Sequence, residues 1–112
     1  MSIEKTLKLT SILLDDDELI RLCWISSASR KGIALKVFKN AKELFLKLHL
    51  INKESIFYID AELGNNKRSG LEVAKELFEK GFQNIYIETG HEPEKFKEEP
   101  WIKGVLGKVP AF

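Results

Sequence analysis

Five short apolar runs of strand length alternate along the chain with segments whose apolar residues recur at helical spacing. The runs cover residues 7–14, 33–38, 55–60, 84–88 and 103–107. Strands that alternate with helices typically form a parallel sheet. Each helix carries the chain back to the end of the sheet where the previous strand began, so the next strand runs in the same direction. The sequence therefore predicts an α/β fold, with helices on both faces of a five-stranded parallel sheet.

The segments between these runs have the signals of helices. We predict helices over residues 17–31, 41–50 and 70–80, with at most two further turns over 92–99. Asn40 and Ser69 are placed to cap the second and third helices, while Gly32 and Gly81 follow the first and third as stop signals. The inward side chains of the first helix are expected to be mostly Leu19, Ile20, Leu22, Cys23 and Ile25.

Length and composition favour one ordinary globular domain over residues 1–112. The chain is 44% hydrophobic and 31% charged, which separates it from disordered and low-complexity sequences. The 18 lysine and arginine residues nearly balance the 17 aspartate and glutamate residues, so no basic surface predicts direct binding of nucleic acid. No apolar stretch is long enough for membrane insertion, and residues 1–5 lack the apolar core of a signal peptide.

The single cysteine limits the redox chemistry of the chain. Cys23 has no partner for an intramolecular disulfide, and its apolar neighbours Leu22, Trp24 and Ile25 predict a buried thiol. A reducing, cytoplasmic location is therefore expected.

Acidic residues follow two of the predicted strands. Asp15, Asp16 and Asp17 come directly after the first run, and Asp60 ends the third. If these two strands lie side by side and parallel, their carboxylates meet at one edge of the sheet, where a shared cation relieves their repulsion. Because ligands of such sheets collect at the carboxyl ends of the strands, the sequence predicts a Mg²⁺ site there.

Two further strand ends carry residues that suit phosphoryl chemistry. Thr89 follows the fourth run and Lys108 follows the fifth. A carboxylate such as Asp60 can attack phosphorus and form an acyl phosphate, while a metal ion and an ammonium neutralise the transferring group. Lys108 supplies the ammonium. The hydroxyl of Thr89 can bond a phosphoryl oxygen and thereby transmit the modification, which describes a switch rather than a turnover enzyme.

This ordered set of residues resembles the receiver domain of two-component response regulators. Members of that family have an acidic pair after strand one, a phospho-accepting aspartate after strand three, threonine or serine after strand four, and lysine after strand five. The resemblance covers nearly the whole chain. The segments that carry it are residues 12–18, 58–63, 69–72, 87–90 and 107–108.

The resemblance implies a flavodoxin-like (CheY-like) three-layer α/β/α sandwich with strand order 2-1-3-4-5. It also implies that Asp16 and Asp60 ligate Mg²⁺ directly, Asp15 acts on it through water, and the backbone carbonyl of Glu62 adds a third protein ligand. The phosphoryl donor is expected to be a sensor histidine kinase or a histidine phosphotransfer protein of a phosphorelay. A downstream protein target would read the phosphorylated state.

The chain departs from that family at several positions. Gly64 stands where members usually have proline, about two extra residues precede Gly70, Val109 separates Lys108 from the following proline, and Val105 stands where an aromatic residue is usual. The fourth helix is expected to be short. The chain ends at Phe112, before the family's fifth helix, so it is either a piece of a longer receiver or a receiver that does without that helix.

Two alternative functions follow from the same residues. A degenerate receiver would keep the fold but act as a phosphorylation-independent protein-interaction module, as Gly64, Val105 and Val109 suggest. A haloacid-dehalogenase-like phosphatase would use Asp15 and Asp17 as nucleophile and acid/base. That enzyme needs a second acidic pair late in the chain, and residues 103–112 have none.

Overall fold

The computed structural model describes residues 9–64, 68–90 and 99–112. Strands β1 (Ser11–Leu14), β2 (Leu35–Phe38), β3 (Ile56–Asp60), β4 (Ile85–Glu88) and β5 (Gly104–Leu106) form a parallel sheet in the order β2-β1-β3-β4-β5. The helices are α1 (Glu18–Lys31), α2 (Ala41–Lys47), which continues as a 3₁₀ turn over Leu48–Leu50, and α3 (Gly70–Glu79). The predicted fold class and strand order are confirmed.

The first two strands are shorter than predicted because their first residues make other hydrogen bonds. The backbone N–H of Thr10 donates to Ser55 Oγ at 3.3 Å, and β1 begins one residue later. The N–H of Ile33 donates back to the Ala28 carbonyl of α1 at 2.9 Å, which delays β2 to Leu35. Residues 7 and 8 of the first run, and 92–98 of the predicted fourth helix, lie outside the described residues.

Side-chain caps fix where the helices begin. Asn40 Oδ1 accepts the backbone N–H of Glu43 at 2.8 Å, and Ser69 forms a reciprocal capping box with Glu72, so both predicted caps are confirmed. Asp17 Oδ1 accepts the N–H groups of Leu19 and Ile20 and starts α1. Thus Asp17 caps α1, and the side chains of Asp15 and Asp16 do not serve as its N-cap.

The buried face of α1 differs from the one predicted. Leu19, Leu22 and Ile25 are 68%, 53% and 43% exposed, and Cys23 is exposed rather than buried. The fully buried side chain of this helix is Trp24, whose ring lies 5.0 Å from that of Tyr58. Apolar residues occur all round α1, so the helical period alone does not select a face.

Separate apolar clusters cover the two faces of the sheet. Against α2 and α3, the strands present Ile12, Leu14, Phe57, Ile59, Ile85 and Ile87. On the α1 face, Leu13, Tyr58 and Tyr86 pack with Trp24 and Phe112. Side chains alternate between the two faces along a strand. The cluster to which a strand residue belongs therefore tells which face the side chain two positions later points towards. None of the helices in the described part of the chain combines the length and apolar character that crossing a membrane requires.

Helix α3 begins in contact with the end of β3. A Cβ atom added to Gly70 would lie 2.0 Å from the Asp60 carbonyl oxygen, so Gly70→Ala must push α3 away from the strand. We expect this variant to lower the free energy of unfolding by about 1–3 kcal/mol, as measured by chemical denaturation. Gly107→Ala is the matched control, since nothing lies within 4 Å of its added Cβ. Equal stabilities of the two variants would contradict this close packing.

Candidate functional site

Three neighbouring strands bring three carboxyl groups together at the carboxyl edge of the sheet. Asp60 pairs in register with Glu88, and Asp15 follows Leu14, which pairs with Ile59. Each acid lies two positions after a side chain of the α1-face cluster, namely Leu13, Tyr58 and Tyr86. The side chains of Asp15, Asp60 and Glu88 therefore share one face of the sheet, and we call them the acid row. All three are buried, with exposures of 0%, 2% and 0%.

The ammonium of Lys108 joins the three members of the acid row. Lys108 Nζ lies 2.7 Å from Asp60 Oδ1, 3.0 Å from Asp15 Oδ2 and 3.4 Å from Glu88 Oε1. The backbone carbonyl of Lys108 accepts a hydrogen bond from Trp24 Nε1 at 3.1 Å. This bond ties the segment after β5 to α1, and the lysine points into the site although Val109 separates it from Pro110.

Asp16 and Glu62 lie beside the acid row. Asp16 is exposed, and one of its carboxylate oxygens lies within 4.8 Å of oxygens of both Asp15 and Asp60. The backbone N–H of Glu62 donates to Asp60 Oδ1 at 3.0 Å, so the main chain after β3 turns back over the carboxylate. Gly64 continues this turn with a φ of 96°. Proline cannot adopt that angle, so this turn differs from one built on the proline that the resemblance leads us to expect.

Thr89 is buried beside the same edge. Its exposure is 2%, and its Oγ1 donates to Glu62 Oε2 at 3.4 Å. The backbone N–H of Thr89 donates to the Leu106 carbonyl at 2.9 Å, which holds the end of β4 against β5. The predicted site residues Asp15, Asp16, Asp60, Glu62, Thr89 and Lys108 therefore meet at one end of the sheet.

Burial and shared hydrogen bonds perturb the ionisation of the acid row. Burial raises the pKa of Asp60 to about 7, against the opposing effect of the hydrogen bonds from Lys108 and Glu62. Burial, together with a hydrogen bond to Asp15, raises the pKa of Glu88 to about 10. Burial also disfavours ionised Asp15, but hydrogen bonds from Glu88, the Asp17 backbone and Lys108 outweigh it and lower the pKa below 3.8. Burial disfavours the Lys108 ammonium, yet its hydrogen bonds to Asp60 and Asp15 raise its pKa.

The raised pKa of Asp60 predicts how stability depends on pH. Between 3.8, its ordinary value, and about 7, the folded chain holds a proton on Asp60 that the unfolded chain has released. The stabilisation that this proton gives to the folded chain is therefore complete below pH 3.8 and is lost as the pH rises through about 7. Relative to Asp60→Asn, the wild-type free energy of unfolding should fall by roughly 2–4 kcal/mol over this range. Urea denaturation of both proteins across the range measures this, and a constant difference would contradict it.

The oxygen atoms at this edge fit a hard divalent cation. Asp15, Asp16 and Asp60 each offer one carboxylate oxygen, all within 4.8 Å of one another. Magnesium prefers oxygen ligands and is commonly held by one or two carboxylates. A second feature supports the fit, since the buried Glu88 Oε2 accepts no hydrogen bond from any residue in the described part of the chain. The edge thus offers a buried oxygen acceptor that Lys108 and the other described residues do not use.

Sequence reasoning missed two residues of this site. Glu88 was treated only as the end of a strand, and Trp24 only as a packing residue. Glu88 could have been found from the strand period, because it occupies the position in β4 that Asp60 occupies in β3. The bond from Trp24 to Lys108 spans 84 residues, and no local signal indicates it.

Comparisons with known proteins bear on the fold. No protein-family model matches the chain, and no curated protein matches it. Solved structures do match. Response regulator protein TrrA from Thermotoga maritima, in complex with Mg²⁺-BeF, has a TM-score of 0.74 and 21% identity, over 94% of this chain and 89% of that one.

Two further structures give the same result. The receiver domain of a Francisella response regulator has a TM-score of 0.75 and 19% identity, over 90% of this chain and 84% of that one. A CheY-like receiver domain protein from Methanospirillum hungatei has a TM-score of 0.72 and 18% identity, over 90% and 82%. The strand order, the helices and these neighbours agree: the chain has the flavodoxin-like fold of CheY-like response regulator receiver domains.

Proposed function

We propose that this chain is a two-component receiver that accepts a phosphoryl group on Asp60 in a Mg²⁺-dependent reaction and changes its protein contacts through Thr89. One observation carries the proposal. The Asp60 carboxylate ends a central strand, bonds the Lys108 ammonium at 2.7 Å, and lies within 4.8 Å of two further carboxylates. A nucleophile, a cation and a metal-binding oxygen set therefore occupy one edge.

The chemistry at Asp60 follows from its hydrogen bonds. Asp60 Oδ1 accepts from both Lys108 Nζ and the Glu62 backbone N–H, so we assign the attack on phosphorus to Oδ2. The donor is a phosphohistidine. A new O–P bond forms as the N–P bond breaks, and the departing imidazole nitrogen keeps the electron pair of that bond. Lys108 lies beside the transferring group and neutralises part of its charge.

The same residues would hold the metal. Asp16 and Asp60 would ligate Mg²⁺ directly, Asp15 would act through water, and the Glu62 carbonyl would be a third protein ligand. Bound Mg²⁺ neutralises charge on the phosphoryl oxygens. The neighbour TrrA was solved with Mg²⁺-BeF, which supports a cofactor of this kind here.

Thr89 supplies the switch. Its hydroxyl bonds Glu62 at 3.4 Å, a long contact that a phosphoryl oxygen on Asp60 can replace with a stronger, charge-assisted bond. Movement of Thr89 would alter the surface around β4 and the loop after β3. A downstream protein reads this change. The donor is a sensor histidine kinase or a histidine phosphotransfer protein.

Intact mass spectrometry after incubation with acetyl phosphate, with and without Mg²⁺, tests the proposal. A Mg²⁺-dependent mass increase of one phosphoryl group is the expected result. If neither acetyl phosphate nor a phosphorylated histidine phosphotransfer protein adds phosphate, and Mg²⁺ does not bind, the degenerate receiver that acts through protein contact becomes the better account.

A further inference from the structure

Glu88 is a buried acid to which the proposed phosphoryl transfer assigns no part. It is 0% exposed, and its Oε1 lies 3.4 Å from Lys108 Nζ, the ammonium that also contacts Asp15 and Asp60. Its other oxygen, Oε2, accepts no hydrogen bond from the residues the structure describes. Glu88 thus shares the ammonium of Lys108 with both aspartates.

Burying a carboxyl group at this position is costly, and the fold does not need it. The β4 residues Ile85 and Ile87 are equally buried, and their apolar side chains contribute to the sheet through packing alone. An apolar side chain at position 88 would avoid the desolvation cost. The contact of Glu88 with Lys108 is therefore the feature that distinguishes it from its neighbours.

We propose that Glu88 is a positioning residue, which holds the Lys108 ammonium between Asp15 and Asp60 so that it faces the group transferred to Asp60. The Lys108 side chain is long and flexible, and the Trp24 bond fixes only its backbone. Conversion of Asp60 to an acyl phosphate removes the carboxylate charge that makes the 2.7 Å contact. Glu88 and Asp15 then keep the ammonium in place. The role in transfer rests on the proposed function, whereas the positioning of Lys108 does not.

The first test observes Lys108 directly in the unphosphorylated protein without Mg²⁺. An ammonium held by several acidic partners exchanges its protons slowly and gives a ¹H–¹⁵N NMR signal, which Lys108→Ala assigns by its disappearance. We expect Glu88→Leu to weaken this signal through faster proton exchange, because only Asp15 and Asp60 then hold the ammonium. Glu88→Gln should retain it, because the amide oxygen still accepts from Lys108. The control is Ile87→Val, a change in the same strand on the opposite face, and it should also retain the signal. An unchanged signal in Glu88→Leu overturns the proposal.

The second test measures phosphate uptake at saturating Mg²⁺. Loss of one hydrogen bond to a charged group predicts about a tenfold slower reaction for Glu88→Leu, with most of the rate recovered in Glu88→Gln. In the double variant with Lys108→Ala, Glu88→Leu should add little further loss, because it acts through the lysine. Losses that multiply in the double variant would overturn the proposal. Should Glu88→Leu fail to fold, Glu88→Met replaces it, since its unbranched side chain is closer in length.

The two tests separate the positioning role from the proposed function. If the wild-type chain takes up no phosphate, the proposed function fails while the NMR signal of Lys108 still decides what Glu88 does. If the wild-type chain takes up phosphate and Glu88→Leu behaves as wild type in both tests, only the role of Glu88 is overturned.

Discussion

Asp60→Asn is expected to take up no phosphate from acetyl phosphate or from a phosphorylated donor protein. The asparagine side chain has almost the same shape, and its oxygen can still accept from Lys108 and the Glu62 backbone, as Asp60 Oδ1 does. Its amide nitrogen, however, is a poor nucleophile and cannot form the acyl phosphate. Intact mass measurement of the variant beside the wild-type chain should therefore show the phosphoryl adduct in the wild type alone.

Asp17→Asn is the matched control for this experiment. It makes the same chemical change two positions from Asp15, and asparagine is as good a helix cap as the aspartate that bonds Leu19 and Ile20. The control should incorporate phosphate at the wild-type rate. Incorporation at the wild-type rate by Asp60→Asn would sink the site assignment, and peptide mapping would then show which residue accepts the phosphate.

The elements and their caps were predictable because their signals are local. Alternating apolar runs indicated the parallel sheet, and Asn40 and Ser69 marked two helix starts that the structure confirms. The meeting of Asp15 with Asp60 was also predictable, because carboxyl ends of neighbouring parallel strands share an edge. For the helix caps and for the two aspartates, the path of the backbone alone decides where the side chain lies.

The packing face of α1 and the membership of Glu88 in the site depend on tertiary contacts. Leu19 and Leu22 have the spacing of a buried helix face. In the structure, however, the side chain of α1 that packs against Tyr58 and Phe112 is the large ring of Trp24. Cys23, next to Trp24, is therefore turned outward. Glu88 becomes part of the site through its register with Asp60 and the approach of Lys108, 20 residues later. The strand period places Glu88 beside Asp60, but no local signal indicates the packing face of α1 or the approach of Lys108.

Asp16→Asn should weaken Mg²⁺ binding by at least about tenfold, the second large effect expected at this site. Asp16 is the exposed member of the three-carboxylate cluster, so the substitution removes a charged ligand without leaving a buried group unpaired. The free energy of unfolding without Mg²⁺ should therefore change little. Calorimetric titration with Mg²⁺ measures the affinity, and urea denaturation in a chelator measures the stability.

Glu18→Gln separates ligand loss from a general loss of negative charge near the site. Glu18 is also exposed and lies two positions from Asp16, but it is outside the carboxylate cluster. Both variants remove one charge, and long-range attraction between exposed charges is largely screened at physiological salt. Direct coordination therefore predicts a large loss of affinity in Asp16→Asn and a small one in Glu18→Gln. Equal losses would mean that Asp16 contributes only to the field around the site and would contradict its role as a metal ligand.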